Sequence, residues 1–406
     1  MTKEGFGKLA SLTEAISVLE GIVKKKGCES VLVLESLGRT LGKDIIAPLN
    51  VPDFEKSAMD GFAVIAKDTF IASQTKPITM LCTDSITAGV ISQKILEEGK
   101  CIEITTGAPV PKGADAVVMV EHTETENNKI TVYKRLAPGD NIIKIGSDIK
   151  KDALVIKKGA RIDARIIGVL SALGITEIPV VIKPVIAYFS TGNEITPLGK
   201  PLEPGNIYDI NSATIINAIK EQDCEVLDLG LIPDDLDAIC KAINEGTEKS
   251  DFLLLSGGSS LGGEDFMVEA VAKMGKVLIH GIAVKPGKPV LIGTVNKTLV
   301  LGLPGYPTSA LSNFYILVVP LINSIFGRAT NINFVEAKLS RKISSTIGRY
   351  EFMAVKTEEI EGMLIAIPVM KGSSSITTLA EANGFLEIDE NTEVINKNDS
   401  VRVRRF

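Results

Sequence analysis

Three short loops concentrate the residue types that can hold an anion. Ser190-Thr191-Gly192-Asn193-Glu194 follows the apolar run at 185–189, Ser256-Gly257-Gly258-Ser259-Ser260 follows that at 252–255, and Pro304-Gly305-Tyr306-Pro307-Thr308-Ser309 follows that at 298–303. Glycine lets backbone N–H groups come close to an oxyanion, and the Ser and Thr hydroxyls add donors. If the apolar runs are parallel strands of an α/β sheet, the loops meet beyond the strands' carboxyl ends. Helix N-termini there add free N–H groups and positive partial charge. Read singly, each loop is weak evidence, since a Gly and Ser/Thr loop after a strand is most often an ordinary turn; their coincidence points to oxyanion recognition on one rim.

Carboxylates lie beside these loops. Glu194, Asp234 and Asp265 fall in or near the same rim, and acids beside a bound anion make sense chiefly when a hard divalent cation mediates, Mg²⁺ being the simplest choice. The competing readings are a helix N-cap for Asp265, ahead of 266–272, and a turn for Asp234. Lys285-Pro286-Gly287-Lys288-Pro289 places two cations on a stiffened chain, suited to phosphate or else to solvent. The segments at 57–64 and 104–111 read from spacing alone as turns. His122 and His280 are the only histidines and Trp is absent. A multi-histidine metal site or a His-centred triad has little to be built from, and both histidines read as structural.

The elements that must position these groups follow from pattern. Ser11-Leu12-Thr13-Glu14 ahead of Ile16, Leu19 and Val23 has capping-box spacing and helical period, so a helix starts near Ser11. A second short helix is expected at 32–41. From 51 to 158 short apolar runs such as 116–120 and 130–133 alternate with Gly, Pro and Asp, which reads as mostly β. From 184 to 326 strand candidates at 185–189, 226–229, 252–255 and 298–303 alternate with helical segments, the signature of a parallel, doubly wound sheet. Short strands return after Arg328, at 334–339 and 363–367, and fit a small β-barrel or sandwich. The fold class is therefore multidomain α/β plus β.

Composition narrows the function. At roughly 150 residues per domain, 406 residues imply two to four domains. A formal charge of −6 argues against a nucleic-acid partner held through phosphates. Five scattered cysteines without a C-x-x-C pair argue against a disulfide framework or cysteine zinc site and for a reducing, cytoplasmic setting. Residues 1–21 lack the order of a signal peptide, and the apolar stretch 314–326, broken by Pro320 and Asn323, reads as a buried helix rather than a membrane span.

Taken in order, SAMDGFAV from Ser57, TGAPVPKGADAVVMVE from Thr106, Gly146-Ser147-Asp148, STGNE from Ser190, SGG from Ser256, KPGKP from Lys285 and LPGYPTSA from Leu303 resemble the molybdopterin molybdotransferases and the related E domain of gephyrin. The similarity runs from the Ser11 helix to ANG at 382–384. It implies an extended linking domain from 1–47 and 147–180, a β-rich domain at 48–146, an α/β molybdopterin-binding domain at 181–328 and a C-terminal β-barrel at 329–406. It also implies a homodimer whose site lies between the α/β domain of one subunit and the second domain of its partner.

On that resemblance Asp60 and Thr106 reach across the dimer as catalytic residues that help orient oxyanion or substrate. Glu194, Asp234 and Asp265 serve as catalytic and metal-holding acids. Ser190, Thr191, Gly192, Ser256, Gly257, Gly258, Lys285, Lys288, Pro304, Gly305, Pro307 and Ser309 hold substrate. Asp148, Arg349 and Ser373 match further polar positions. The implied reaction joins molybdate, or tungstate of nearly equal size and charge, to adenylylated molybdopterin with release of AMP, the last step of cofactor synthesis, with transient contact to the adenylylating enzyme. A molybdopterin adenylyltransferase would leave the SAMDG, TGA and C-terminal segments without purpose. A gephyrin-E-like scaffold could lose its rim acids, which this chain keeps. Tyr306 stands where Asn is usual, SGGSSLGGEDF replaces a more typical SGGVSVGDYD, and Gly281 occupies an often basic position.

Overall fold

The computed structural model describes residues 9–257, 265–329, 334–372 and 374–405. Helix α1 (Leu12–Ile22) begins where the spacing predicts, and the Ser11 Oγ accepts the Glu14 N–H at 3.1 Å. Its buried Ala15 and Leu19 belong to the core of the α/β region, not to the segments that follow it in sequence. The helix expected at 32–41 does not form. Cys28–Leu32 is a strand paired antiparallel with Glu177–Val181, followed by a single 3-10 turn at Val33–Glu35 and a reversal at Gly38 with φ +79. Helix α2 (Ala164–Ala172), capped by Asp163, packs Leu170 against Val33, Leu41, Ile162 and Val180. The chain before and after the β-rich segment is thus joined by two short ladders, Cys28–Leu32 with Glu177–Val181 and Ile45–Ile46 with Leu154–Ile156, and by one apolar cluster.

Between them stands a six-stranded sheet ordered Ala116–Met119, Gly61–Val64, Lys100–Ile104, Ile78–Ile86, Lys129–Val132, Thr123–Glu126. The apolar runs read as strands here are strands.

The α/β sheet is ordered Glu225–Ile232, Val185–Thr191, Phe252–Gly257, Thr298–Leu303, Leu291–Val295, Gly275–His280. The first four are parallel, whereas Leu291–Val295 is antiparallel to Thr298–Leu303. The four strands expected to be parallel are so, and Leu291–Val295 and Gly275–His280, which no strand candidate covered, add an antiparallel edge. Asn296 and Lys297 both take positive φ (52 and 67), the backbone of a two-residue hairpin turn that a parallel crossover could not use. Side chains alternate along Val185–Thr191. Ile186 and Tyr188 face one core, with α1, α3 (Ile210–Glu221) and α7 (Val319–Phe326), while Ala187 and Phe189 face another, with α4 (Leu236–Lys249) and α5 (Phe266–Met274). Both faces are covered, as in a doubly wound fold.

Helix α6 (Pro307–Asn313) runs through a π turn at Phe314–Val318 into α7. The Val319 N–H reaches back five residues to the Phe314 carbonyl just before Pro320, which has no N–H to donate. Pro307–Phe326 is long and apolar enough to cross a membrane by composition, but 67% of its apolar 18-residue window is buried in this fold. Beyond it, Tyr350–Ile360, Met363–Pro368, Phe334–Leu339, Ser400–Arg405 and Gly384–Ile388 close into a five-stranded barrel. Val284–Lys285 joins its Tyr350–Glu351 end in parallel, stitching barrel to α/β body.

Candidate functional site

The three Gly/Ser/Thr loops leave three neighbouring parallel strands. Ser190 stands opposite Ser256 and Thr191 opposite Gly257, and Ser256 opposite Leu303, so Ser190, Ser256 and Pro304 begin their loops side by side. Gly257 has φ +115, and a Cβ added there would lie 2.0 Å from the Thr191 carbonyl oxygen; a Cβ on Gly305 would lie 3.7 Å from the Gly257 Cα. Alanine at Gly257 meets both a left-handed backbone and a backbone clash. The Gly257→Ala variant is expected to lose about 3 kcal/mol or more of stability, read as a lowered midpoint in denaturant unfolding; an unchanged midpoint would show that the loops do not pack this closely.

The loops open on a cleft of about 2280 Å³ between the α/β rim and the barrel. Glu194, Asp234 and Asp265 all line it, as do Ser190, Thr191, Gly192, Ser256, Gly257, Lys285, Lys288, Pro304, Gly305, Pro307 and Ser309. Asp234 is oriented by the Thr191 hydroxyl, which donates to its Oδ1, and by the Asn193 N–H at 3.3 Å on Oδ2. Asp265 does what its sequence position also allowed and caps α5, accepting the Val268 N–H at 3.2 Å. Burial holds its carboxyl above the usual range, opposed by the hydrogen bonds of the cap and by His280, whose Nε2 is 3.7 Å from Oδ2.

Lys285 is fastened to Glu351, its register partner on the adjoining barrel strand, which also accepts the Ser345 hydroxyl at 2.6 Å. The KPGKP turn is held from the other side by buried Asn313, whose amide, anchored to the Ser309 carbonyl at 2.8 Å, also donates to the Pro286 and Gly287 carbonyls at 3.4 Å and sits where any Gly287 Cβ would go.

Other expected residues lie apart. Asp60 and Thr106 form one unit at the β-rich sheet, with the Thr106 N–H and Oγ1 donating to Asp60 Oδ1 at 2.6 and 2.8 Å. The Thr106 N–H, and then its hydroxyl, hold the Asp60 carboxyl below its usual range. Both residues are exposed, and neither lines this chain's cleft. Asp148 is exposed, its N–H donating to the Val51 carbonyl at 3.1 Å, and Arg349 precedes the barrel strand that starts at Tyr350; neither lines the cleft. Gly258 and Ser373 lie outside the described residues.

Pattern reading missed several groups. Asp209 is buried beneath the first loop, where its Oδ2 accepts the hydroxyls of Ser190 and Ser212, each at 2.6 Å, while its Oδ1 caps α3 through the Ser212 N–H. An Asp directly ahead of the helical run that starts at Ile210 and continues through Ile215, Ala218 and Ile219 was the available signal. Asn211 donates to the Gly305 carbonyl at 2.8 Å and ties the start of α3 to the third loop. His280, read as structural, lines the cleft beside Asp265. Glu351 had no local signal, since its partner is 66 residues away in sequence.

Among the described residues no three His, Cys, Asp or Glu side chains gather closely enough to cage a metal. The donor set still fits Mg²⁺, which takes one or two carboxylates and fills the rest of its shell with water and substrate phosphate oxygens. What the cleft offers is backbone amides, hydroxyls and lysines for anions, with acids beside them.

Three family models match the chain: the MoeA N-terminal region (domain I and II) over residues 10–174, a molybdopterin binding domain over 187–324 and the MoeA C-terminal region (domain IV) over 336–406. The molybdopterin molybdenumtransferase of Bacillus subtilis is 35% identical over 397 residues, covering 96% of this chain and 92% of the relative. That of Haemophilus influenzae is 33% identical, covering 92% of each. The crystal structure of the molybdopterin biosynthesis MoeA protein from Pyrococcus horikoshii superimposes with a TM-score of 0.88 at 31% identity, covering 98% of this chain and 100% of that one.

Proposed function

The chain belongs to the molybdopterin molybdenumtransferase family, and on that premise we propose how its cleft carries out the transfer. The family's enzymes insert molybdenum in molybdenum cofactor biosynthesis, and this chain is an enzyme of that kind. The substrate in our reading is adenylylated molybdopterin, the metal enters as molybdate, and AMP leaves as molybdenum joins the dithiolene. The observation that carries this is the meeting of three anion-binding loops, two lysines and three acids on one cleft.

The chemistry requires that meeting. A pterin phosphate and a dianionic oxyanion repel by about 4 kcal/mol for each pair of unit charges roughly 4 Å apart at an effective dielectric of 20. The Gly257 and Gly305 loops let backbone N–H groups approach the phosphates, and Lys285 and Lys288 add positive charge. Lys285 is kept in place by Glu351. The Asp209 and Ser212 bonds stop the Ser190 hydroxyl from swinging away, so the loop is pre-set before substrate arrives. Asp234, steadied by Thr191 and Asn193, Asp265, steadied by the α5 cap, and Glu194 line the cleft without gathering into one cage, so Mg²⁺ would be held by one or two of them, with water and substrate phosphate oxygens completing its shell. When bound, that ion supplies positive charge to offset the repulsion between the reacting anions.

Asp60 and Thr106 enter this reading through a second copy. They carry a matched acid and hydroxyl yet stand outside this chain's cleft, so in a homodimer the partner would present its pair to the rim. Purified protein given adenylylated molybdopterin, Mg²⁺ and either molybdate or tungstate is expected to release AMP with both oxyanions and to yield metal-loaded cofactor. If no AMP appears with either oxyanion while the substrate remains intact, the adenylylated substrate is wrong.

A further inference from the structure

Outside the cleft, the β-rich sheet brings together two thiols that the transfer reaction does not use. Ile78–Ile86 and Lys100–Ile104 are parallel neighbours, and Cys82 stands directly opposite Cys101 in their register. Opposed residues of a parallel pair leave the same face, on strands about 4.8 Å apart, and a disulfide spans Cα separations of roughly 4.4–6.8 Å. Both side chains enter one apolar cluster, with Cys101 fully buried and Cys82 partly exposed at its margin. Burial, and then the adjoining Cys82 thiol hydrogen-bonded to it, push the Cys101 thiol up to about 12. Cys82 donates to the Asp84 carbonyl at 3.4 Å. Neither Cys28, Cys224 nor Cys240 faces another cysteine in any strand register among the described residues.

We propose that Cys82 and Cys101 are a reversible thiol–disulfide site, closing into an intramolecular bridge when a low-molecular-weight disulfide is in excess. Cys82, the accessible partner, loses its proton to solvent and its thiolate attacks one sulfur of glutathione disulfide. That S–S bond breaks, one glutathione leaves as thiolate and takes up a proton, and a mixed disulfide remains on Cys82. Cys101 then gives up its proton and attacks the Cys82 sulfur. The mixed disulfide breaks and the second glutathione leaves. Two protein thiols are oxidised and one glutathione disulfide is reduced to two thiols. The buried, protonated Cys101 makes the second step the slower one, and raising the pH speeds it. The strand that carries Cys101 runs directly into Thr105 and Thr106, so the bridge pins the sheet five residues before the hydroxyl that holds Asp60.

The test uses the whole folded chain incubated with glutathione disulfide, quenched by alkylation and digested without reductant for peptide mass analysis. The expected product is one cross-linked pair joining the Cys82 and Cys101 peptides, reversed by dithiothreitol. Glutathione on the exposed Cys28 shows that the reagent acted. In a Cys101→Ala variant, Cys82 should instead keep its glutathione. Recovery of Cys82 and Cys101 as separate alkylated thiols while Cys28 is modified would overturn the proposal. So would a lasting glutathione adduct on Cys82 of the unaltered protein. Both readouts come from the natural sequence and do not depend on how the variant folds.

Discussion

Asp265→Asn is expected to remain folded and to lose roughly 100-fold or more of molybdenum transfer, the scale seen when one pre-organised electrostatic group is removed from an active site. Asparagine is the informative replacement because Asp265 has two tasks. Its side chain caps α5 through the Val268 N–H, and asparagine caps about as well as aspartate, whereas alanine would cost about 1 kcal/mol there. Asparagine therefore removes the charge and keeps the helix end. Asp265→Ala should lose both, with turnover gone and some stability with it.

The stability of the two forms provides an independent reading. Burial raises the Asp265 carboxyl above its unfolded value. The folded protein then binds this proton more readily than the unfolded chain, so the group's stabilising contribution is full below the unfolded value and is lost as the pH rises through the folded one. Asparagine has no such loss. In metal-free buffer at neutral pH the Asp265→Asn protein should melt no lower than the natural one, while transferring molybdenum far more slowly. Normal turnover would remove Asp265 from the mechanism, and a large fall in melting temperature would make its role structural.

Mixing two inactive variants should restore activity. If the cleft of one subunit is completed by Asp60 and Thr106 of the other, then Asp60→Ala and Asp265→Ala homodimers each lack one part of every site. A mixed dimer has one site with both defects and one with neither. After unfolding and refolding together in equal amounts, random pairing should recover about a quarter of the natural activity, since half the dimers are mixed and each carries one intact site of two. Asp60 is exposed and makes its Thr106 bonds within its own chain, so the Asp60→Ala substitution should leave the α/β region untouched. No recovery from mixtures that demonstrably contain mixed dimers would place the complete site within one chain, and Asp60 outside it.

Much of the architecture was legible because apolar period and turn residues act locally. The Ser11 cap, the strands after which the three loops begin, and the short strands at 334–339 and 363–367 each follow from residues within a few positions of one another. The misreadings also have local causes. Residues 32–41 carry apolar spacing that a helix would accept, but a strand partner 145 residues downstream claims Leu32 at Glu177. Leu291–Val295 was not misread but unread: it enters the sheet antiparallel because Asn296 and Lys297 accept positive φ, a preference visible for Asn and not for Lys. His280 looked isolated because Asp265, its neighbour at the cleft, lies on another element.

The chain's order of residues by itself determined the chemistry on offer: loops rich in Gly, Ser and Thr, acids near them, two lysines on a proline-stiffened turn, and too few histidines for another kind of site. Only the tertiary structure decided which of these groups meet. It set Ser190 and Ser256 side by side, moved Lys285 onto Glu351 of the barrel, buried Asp209 under the first loop, and left Asp60 with Thr106 on a separate sheet. Residue type is a property of single positions. Proximity depends on strand register and on the packing of apolar faces far apart along the chain, which no local pattern contains.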